Sequence, residues 1–425
     1  MGTGAVGHSA SVATRMLSAA AEKDKKLVRT IVSLQAAEGI CHAGVKPYST
    51  KLLVTEAVRA LIFPEEGDRL LHAPKIMNGH DVGQFWRGFY VIDVNDMTEL
   101  ELRAQLPHAY TYLLEHVRPG RMRERNPRLR LEFWRFEANR TSMREALATL
   151  TRYIVTLENS PQRYFTFLPS SILPDQKLRV VAVDDAWVLA LLSSQAHDLF
   201  ARDVGGRAGR ANTPVYNTEC FTRFPFPDPE ASLKVKLRAL GEELDATRKR
   251  VQVEHPDLTL TGLYNVLQRI RAGIALSGSD EDIKHRGLVL ILKDLHDQID
   301  ALTAAAYGWP ADLADEEILD RLVALNAQRV AEEAAGHVRW LRPDYQIPRF
   351  AKGGAARSGE LALGEAVVAI DKALPVFPAD RYEQPLAIEA LLAAAGRPMT
   401  PAELARGFRR GGKRIEQRRP GPDHP

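Results

Sequence analysis

With 425 residues, 45% of them hydrophobic, the chain is long enough for two or three domains with cores of their own, and its composition is that of an ordinary globular protein. A net charge of only +3 excludes a global polybasic field, so any surface for nucleic acid must come from local patches. Cys41 and Cys220 stand in no CxxC or CxxH spacing, which excludes a zinc ribbon and points to a reducing cytoplasm. No window approaches the ~18 apolar residues of a membrane span, and the N-terminus lacks a signal-peptide core. The expectation is a soluble cytoplasmic protein without membrane contact.

Residues 1–69 read as an unassigned lead-in, small and Ala-rich at first. Within it, YSTKLLVTEAVRALIF (Tyr48–Phe63) carries Leu53, Val54, Val58 and Leu61 at helical spacing. GFYVID (Gly88–Asp93) is predicted as a short buried strand. Thr98 and Glu101 form a capping box that opens a helix, interrupted at Pro107 and resumed through AYTYLLEHV. The next stretch, RPGRMRERNPRLRLEFWRF (Arg118–Phe136), is predicted to begin as a loop. RYFTFL (Arg163–Leu168) and LRVVAV (Leu178–Val183) are β-rich runs, and DAWVLALLSSQAHDLFARDV (Asp185–Val204) has the length and periodicity of one helix. GGRAGRANTPVYN (Gly205–Asn217) is a glycine-containing loop leading to FTRFPFPDP.

These elements describe an α/β (α+β) domain over residues 70–228. After Pro229 four amphipathic patterns follow one another, an all-α helical domain over 229–350. A linker and a tail occupy 351–425. There Thr400 and Glu403 form another capping box, in what looks like the first half of a winged helix without its wing.

The chemistry of the sequence lies in its arginines. From Arg118 to Arg163 there are eleven Arg, no Lys and five acidic residues, a local charge of about +6. The chain favours Arg throughout, 42 against 15 Lys, so the local charge is the stronger signal. Arg offers a planar fork for phosphate and for the guanine edge, and Trp134 can pack on sugar or base. The plainer reading is a solvated basic loop anchored by Leu129, Leu131, Phe133 and Phe136. A second loop sets Arg207 and Arg210 beside Asn212 and Tyr216, where backbone N–H groups and arginines can approach a polyanion. No catalytic constellation is found: NPPY, FxGxG, Walker A and GxSxG motifs are missing. Asp175 and Lys177 in LPDQK lack a second acidic residue for a nuclease metal, and Asp184–Asp185 reads as a helix N-cap.

KIMNGHDV (75–82), YVIDVNDMTELE, AYTYLLEHVRPGRMRERNPRLRLEFWRF, LTRYIVTLENSPQRYFTFLPSSILPDQKLRVVAVDDAWVLALLSSQAH and YNTECFTRFPFPDP, in that order, resemble the target recognition domain of MmeI-like (type IIL, type IIG) restriction–modification enzymes. LTGLYNVL (260–267) and AAAYGWPADL (304–313) resemble that family's C-terminal helical domain, and RPMTPAELARGFRR its winged-helix tail. The resemblance runs from about residue 70 to 345, and more faintly from 375 to 412. It implies a module that reads a short DNA sequence through the major groove for an adenine-specific DNA methyltransferase.

The family's nuclease and methyltransferase segments lie upstream of the segment matched here, so the resemblance implies recognition of double-stranded DNA and no catalysis by this chain alone. S-adenosylmethionine is implied only for the missing core, which is expected to be a methyltransferase/nuclease chain or domain encoded upstream. A stand-alone DNA-binding protein, or a non-functional fragment of such an enzyme, is the alternative. For the phosphate-gripping role the expected residues are Arg121, Arg123, Arg125 and Arg130, with Trp134 and Arg163 beside them. For base reading they are Arg207, Arg210 and Asn212, with Tyr216 nearby. Asn78 either joins that face or supplies positive φ for a tight NG turn.

Overall fold

Four consecutive residues of RYIVTL, Tyr153 to Thr156, are buried, the mark of a strand covered on both faces. The computed structural model describes residues 31–351. Its strands are β1 (Cys41–Ala43), β2 (Leu53–Val54), β3 (Lys75–Met77), β4 (Tyr90–Val91), β5 (Arg152–Leu157), β6 (Thr166–Pro169), β7 (Ile172–Pro174), β8 (Leu178–Val181), β9 (Arg207–Ala208) and β10 (Thr213–Pro214). One sheet has the order β1-β8-β5-β6, with every pair antiparallel. A second has the order β2-β4-β3-β7, with β3 and β7 parallel; β9 and β10 form a separate ribbon. Helices cover the sheets, giving the mixed α/β fold expected.

Several elements differ from their sequence reading. In the 48–63 segment the helix starts only at Glu56, because Leu53–Val54 pairs with β4 instead. The arginine-rich stretch is not a loop: Arg118–Arg121 and Pro127–Leu131 are short helices, the second capped by Asn126. The predicted 185–204 helix is two, Ala186–Leu192 and Gln195–Val204, with Ser194 capping the second. The third of the four amphipathic patterns after Pro229, which begins at Ile283, breaks at Gly287–Leu288, where Leu288 has φ 50° and a Cβ on Gly287 would sit 2.2 Å from Leu263. The Thr98–Glu101 box is present in both directions, and Asp185 caps its helix by accepting from the Trp187 N–H.

The composition change at Pro229 marks a change of secondary structure without a break in packing. The Ala231–Glu254 helix lies so close to Ala186–Leu192 that a Cβ on Gly241 would stand 2.1 Å from the Ala186 carbonyl oxygen. The same helix is fastened to the sheet by charge. Arg152 pairs with Glu242, and Arg238 forks onto Asp185 at 2.7 and 2.8 Å. Asp245 accepts from Thr166 Oγ1 at 2.7 Å and from the Phe167 N–H at 3.2 Å, which satisfies a donor on the edge strand β6. Residues 31–69 are likewise built into the fold. They supply an edge strand to each sheet, and the Glu333 carboxylate accepts from the N–H groups of Gln35 and Ala36. The lead-in before residue 31 and the tail with its Thr400–Glu403 box lie outside the described residues.

Two buried histidines close the break after the Ala186–Leu192 helix. His197 Nδ1 donates to the Leu192 carbonyl at 2.9 Å and its Nε2 accepts from the Tyr216 hydroxyl at 3.1 Å. His296 repeats the arrangement with the Ser193 carbonyl at 3.1 Å and the Tyr264 hydroxyl at 2.9 Å. Each imidazole is thereby fixed as the neutral Nδ1–H tautomer. Burial pushes both down to about 3, aided by the charge of Arg163 beside His197 and of Arg271 and Arg248 beside His296. Below the ordinary value of 6.5 the unfolded chain takes up protons that the fold refuses, so stability is lost as pH falls from there toward 3. Each histidine should remove about 2 kcal/mol by pH ~5. Urea melts at neutral and mildly acid pH should show this loss, and His296→Gln should reduce the difference between them.

Candidate nucleic-acid interface

The sequence GGRAGRANTP folds as a hairpin because its glycines allow it. Gly206 and Gly209 have φ near +72° and +71°, and Asn212, a residue that tolerates the left-handed region, has φ 51°. Thr213 pairs with Ala208 and Pro214 with Arg207, leaving Gly209–Asn212 as the tip. Arg207 closes the tip by donating to the Asn212 carbonyl at 3.2 Å. Arg207, Arg210 and Asn212 are exposed, and the Arg210 guanidinium has no hydrogen bond or ion pair among the described residues. The base is rigid: Tyr216 N–H donates to the Glu158 carbonyl at 2.7 Å, and a Cβ on Gly205 would lie 2.0 Å from the Val215 carbonyl oxygen.

The arginine-rich stretch divides into two classes. Arg121 is almost fully buried and donates to the carbonyls of Pro47 (2.8 Å) and Arg135 (3.0 Å); burial lowers its pKa. Arg123 and Arg125 are exposed, with no side-chain partner among the described residues. Arg128 donates to the carbonyls of Phe136 and Glu137, and Arg130 to those of Glu124 and Arg125. These two are steadied without an acidic partner among the described residues, so their charge is left available to a polyanion.

Four expected contact residues are placed otherwise, and Asn78 is not a turn residue. Arg121 is a strut between two backbone segments. Trp134 is in the core, its indole N–H donating to the Met97 carbonyl at 3.1 Å. Arg163 turns inward, donating to Thr156 Oγ1 and the Leu157 carbonyl with its guanidinium 5.0 Å from the Tyr216 ring centre; burial lowers its pKa. Tyr216 is completely buried against His197. Asn78 supplies no positive φ: at φ −112° it caps the Gly79–Gly83 helix, in a reciprocal box with Asp81.

Sheet register brings the remaining loops to one end. Leu157 pairs with Leu178 and Ala43 faces Arg179, so β5 and β1 finish where β8 begins. Val45 bridges to Asp175, and the Asp175 N–H donates to the Met77 carbonyl, which adds the ends of β3 and β7. From this end leave the hairpin, by way of Glu158–Ser160, the 44–48 loop, and the helix capped by Asn78. Lys177 stands here too, with Lys46 and Arg87, two residues that no sequence motif marks. Lys177 and Arg179 share Glu158, at 3.1 and 2.7 Å.

Arg87 is held in a fork by Asp81, Nε to Oδ1 at 2.8 Å and Nη2 to Oδ2 at 2.9 Å, with 40% of its side chain still exposed. Burial pushes the Asp81 carboxyl up, but the Arg87 fork and two backbone N–H groups outweigh it and hold the group below its ordinary value. The NGHD spacing of an N-cap and its reply was the signal that would have placed Asp81, and through it Arg87. Among the described residues no group of three or more His, Cys, Asp or Glu side chains is placed to hold a metal, and no helix is long and apolar enough to cross a membrane.

No family model and no curated protein matches the chain. Among solved structures it is similar to the type IIL restriction–modification enzyme MmeI in complex with DNA, with a TM-score of 0.51 and 16% identity over 69% of this chain. The chain spans 36% of that enzyme's length. At this identity the likeness is one of fold.

The division of arginines and aromatics has a direct consequence. Trp134→Ala should cost about 3–5 kcal/mol of stability, seen as a lower melting temperature.

Proposed function

We propose that the chain binds double-stranded DNA as the sequence-recognition part of an adenine-specific DNA methyltransferase of a restriction–modification system. The observation that carries this reading is the arginine-tipped hairpin: a rigid base, a tip of Arg207, Arg210 and Asn212 without acidic partners among the described residues, and an origin at the sheet end where other basic loops also emerge. A two-stranded ribbon fits the major groove of B-DNA, where an Arg fork pairs with guanine and an Asn amide with adenine. The exposed Arg123, Arg125 and Arg128 and the half-buried Arg130 supply sequence-independent phosphate contacts. The fold likeness to MmeI and the ordered motifs support assigning these contacts to a restriction–modification enzyme. Methyl transfer from S-adenosylmethionine belongs, in this reading, to a partner chain or domain.

Equilibrium binding of the full chain to mixed-sequence duplexes across a salt series tests the reading. Arg123→Ala with Arg125→Ala should weaken all duplexes alike and reduce the salt slope by about 2, one unit for each lost phosphate contact. Arg210→Ala or Asn212→Ala should instead relax preference at one base position by about 1–3 kcal/mol in a selection experiment. Equal binding by the parent and these variants at every salt concentration would rule the interface out.

A further inference from the structure

We propose that Tyr48 is a DNA-contacting residue whose ring stacks on a deoxyribose or base of the bound duplex; the proposal rests on the DNA-binding reading above. Tyr48 has φ 66°, in the left-handed region where a tyrosine is strained and glycine or asparagine is not. Its side chain is nevertheless 53% exposed, and its hydroxyl has no hydrogen bond among the described residues. A strained backbone that displays a large aromatic to water gains little for the fold.

The backbone around Tyr48 is held on every side. Lys46 exchanges hydrogen bonds with Ala138 at 2.9 and 3.2 Å, Arg121 donates to the Pro47 carbonyl, and the Tyr112 hydroxyl donates to the Lys51 carbonyl at 3.2 Å. The ring is therefore presented from a fixed platform with few rotamers to lose on binding. Its surroundings are cationic. Lys46 Nζ lies 5.2 Å and the Arg121 guanidinium 5.9 Å from the ring centre. Arg123 and Arg125 follow Arg121 along the chain, and Arg128 reaches the carbonyl of Glu137, whose carboxylate pairs with Lys46. An exposed aromatic face beside cationic groups is a combination by which proteins stack on nucleic acid.

The test is fluorescence anisotropy of the full chain with a labelled mixed-sequence duplex of about three helical turns, together with melting temperatures. Tyr48→Gly and Tyr48→Asn relieve the strain, so they should melt at or above the parent temperature yet bind roughly 5- to 150-fold more weakly, with the salt slope unchanged. Tyr48→Phe should retain affinity, since stacking needs the ring and not the hydroxyl. Parental affinity in the Gly and Asn variants, alongside weakened binding by the Arg123/Arg125 variant, would overturn this proposal and leave the DNA reading standing. A melting temperature that falls in step with affinity would make Tyr48 a support of the loop and would also overturn it. No binding of the duplex by the parent chain would remove both.

Discussion

The pairing of β5 with β8 is the constraint from which the rest of the molecule follows. Ile154 faces Val181 and Leu157 faces Leu178, so the two strands end together, and β1 joins β8 in the same register. Because strand side chains alternate, a slip of one residue would exchange the faces of β5 and displace every loop leaving its end. The hairpin, the 44–48 loop and the Asn78-capped helix share a neighbourhood only because this register is kept. Burial of β5 on both faces secures it, with Thr156 satisfied internally by the Tyr164 carbonyl at 2.8 Å. The Ala231–Glu254 helix then closes the sheet at β6, through Asp245 and through the contact that only a glycine at 241 permits.

The arginines show the same residue type doing two jobs. Arg121 and Arg248 are fully buried and end on backbone carbonyls, Arg248 on that of Phe165 and on the Tyr264 hydroxyl. A planar fork with fixed donor directions suits such struts better than an ammonium on a flexible stem. Arg123, Arg125 and Arg210 keep their guanidinium groups in water and have no side-chain partner among the described residues. The preference of 42 Arg over 15 Lys therefore has no single meaning along this chain, and only burial separates the structural from the available ones.

What was legible in the sequence was local. The Thr98–Glu101 box and the Asp185 cap were readable because cap and partner lie within three residues. The hairpin was half readable: its glycines and arginines marked a basic loop, but the Ala208–Thr213 pairing was not seen. The inward turn of Arg121 depends on carbonyls at residues 47 and 135, and that of Trp134 on the carbonyl of Met97, so neither could be read from neighbouring letters. The break at Ser193–Ser194 defeated a periodicity argument for a similar reason. The carbonyls left without helical partners there are satisfied by His197 and by His296, the latter about a hundred residues away. The NG dipeptide offers a tight turn as one of two readings of Asn78, whereas the Asp three residues later makes it a helix cap.

The hairpin also shows why rigidity and freedom are divided as they are. Ordering a long side chain on binding costs about 0.5–1.5 kcal/mol, and ordering a loop costs more. In this chain the loop is already ordered: Gly205 is pressed against Val215, Tyr216 against Glu158 and His197, and Arg207 onto the Asn212 carbonyl. The aromatic residues expected to touch a ligand, Tyr216 and Trp134, are spent instead on holding the supports of the exposed groups. Burying them leaves the exposed arginines as the adjustable part of the surface. Substitution at the tip leaves the core undisturbed, because the exposed tip residues make almost no contact with it.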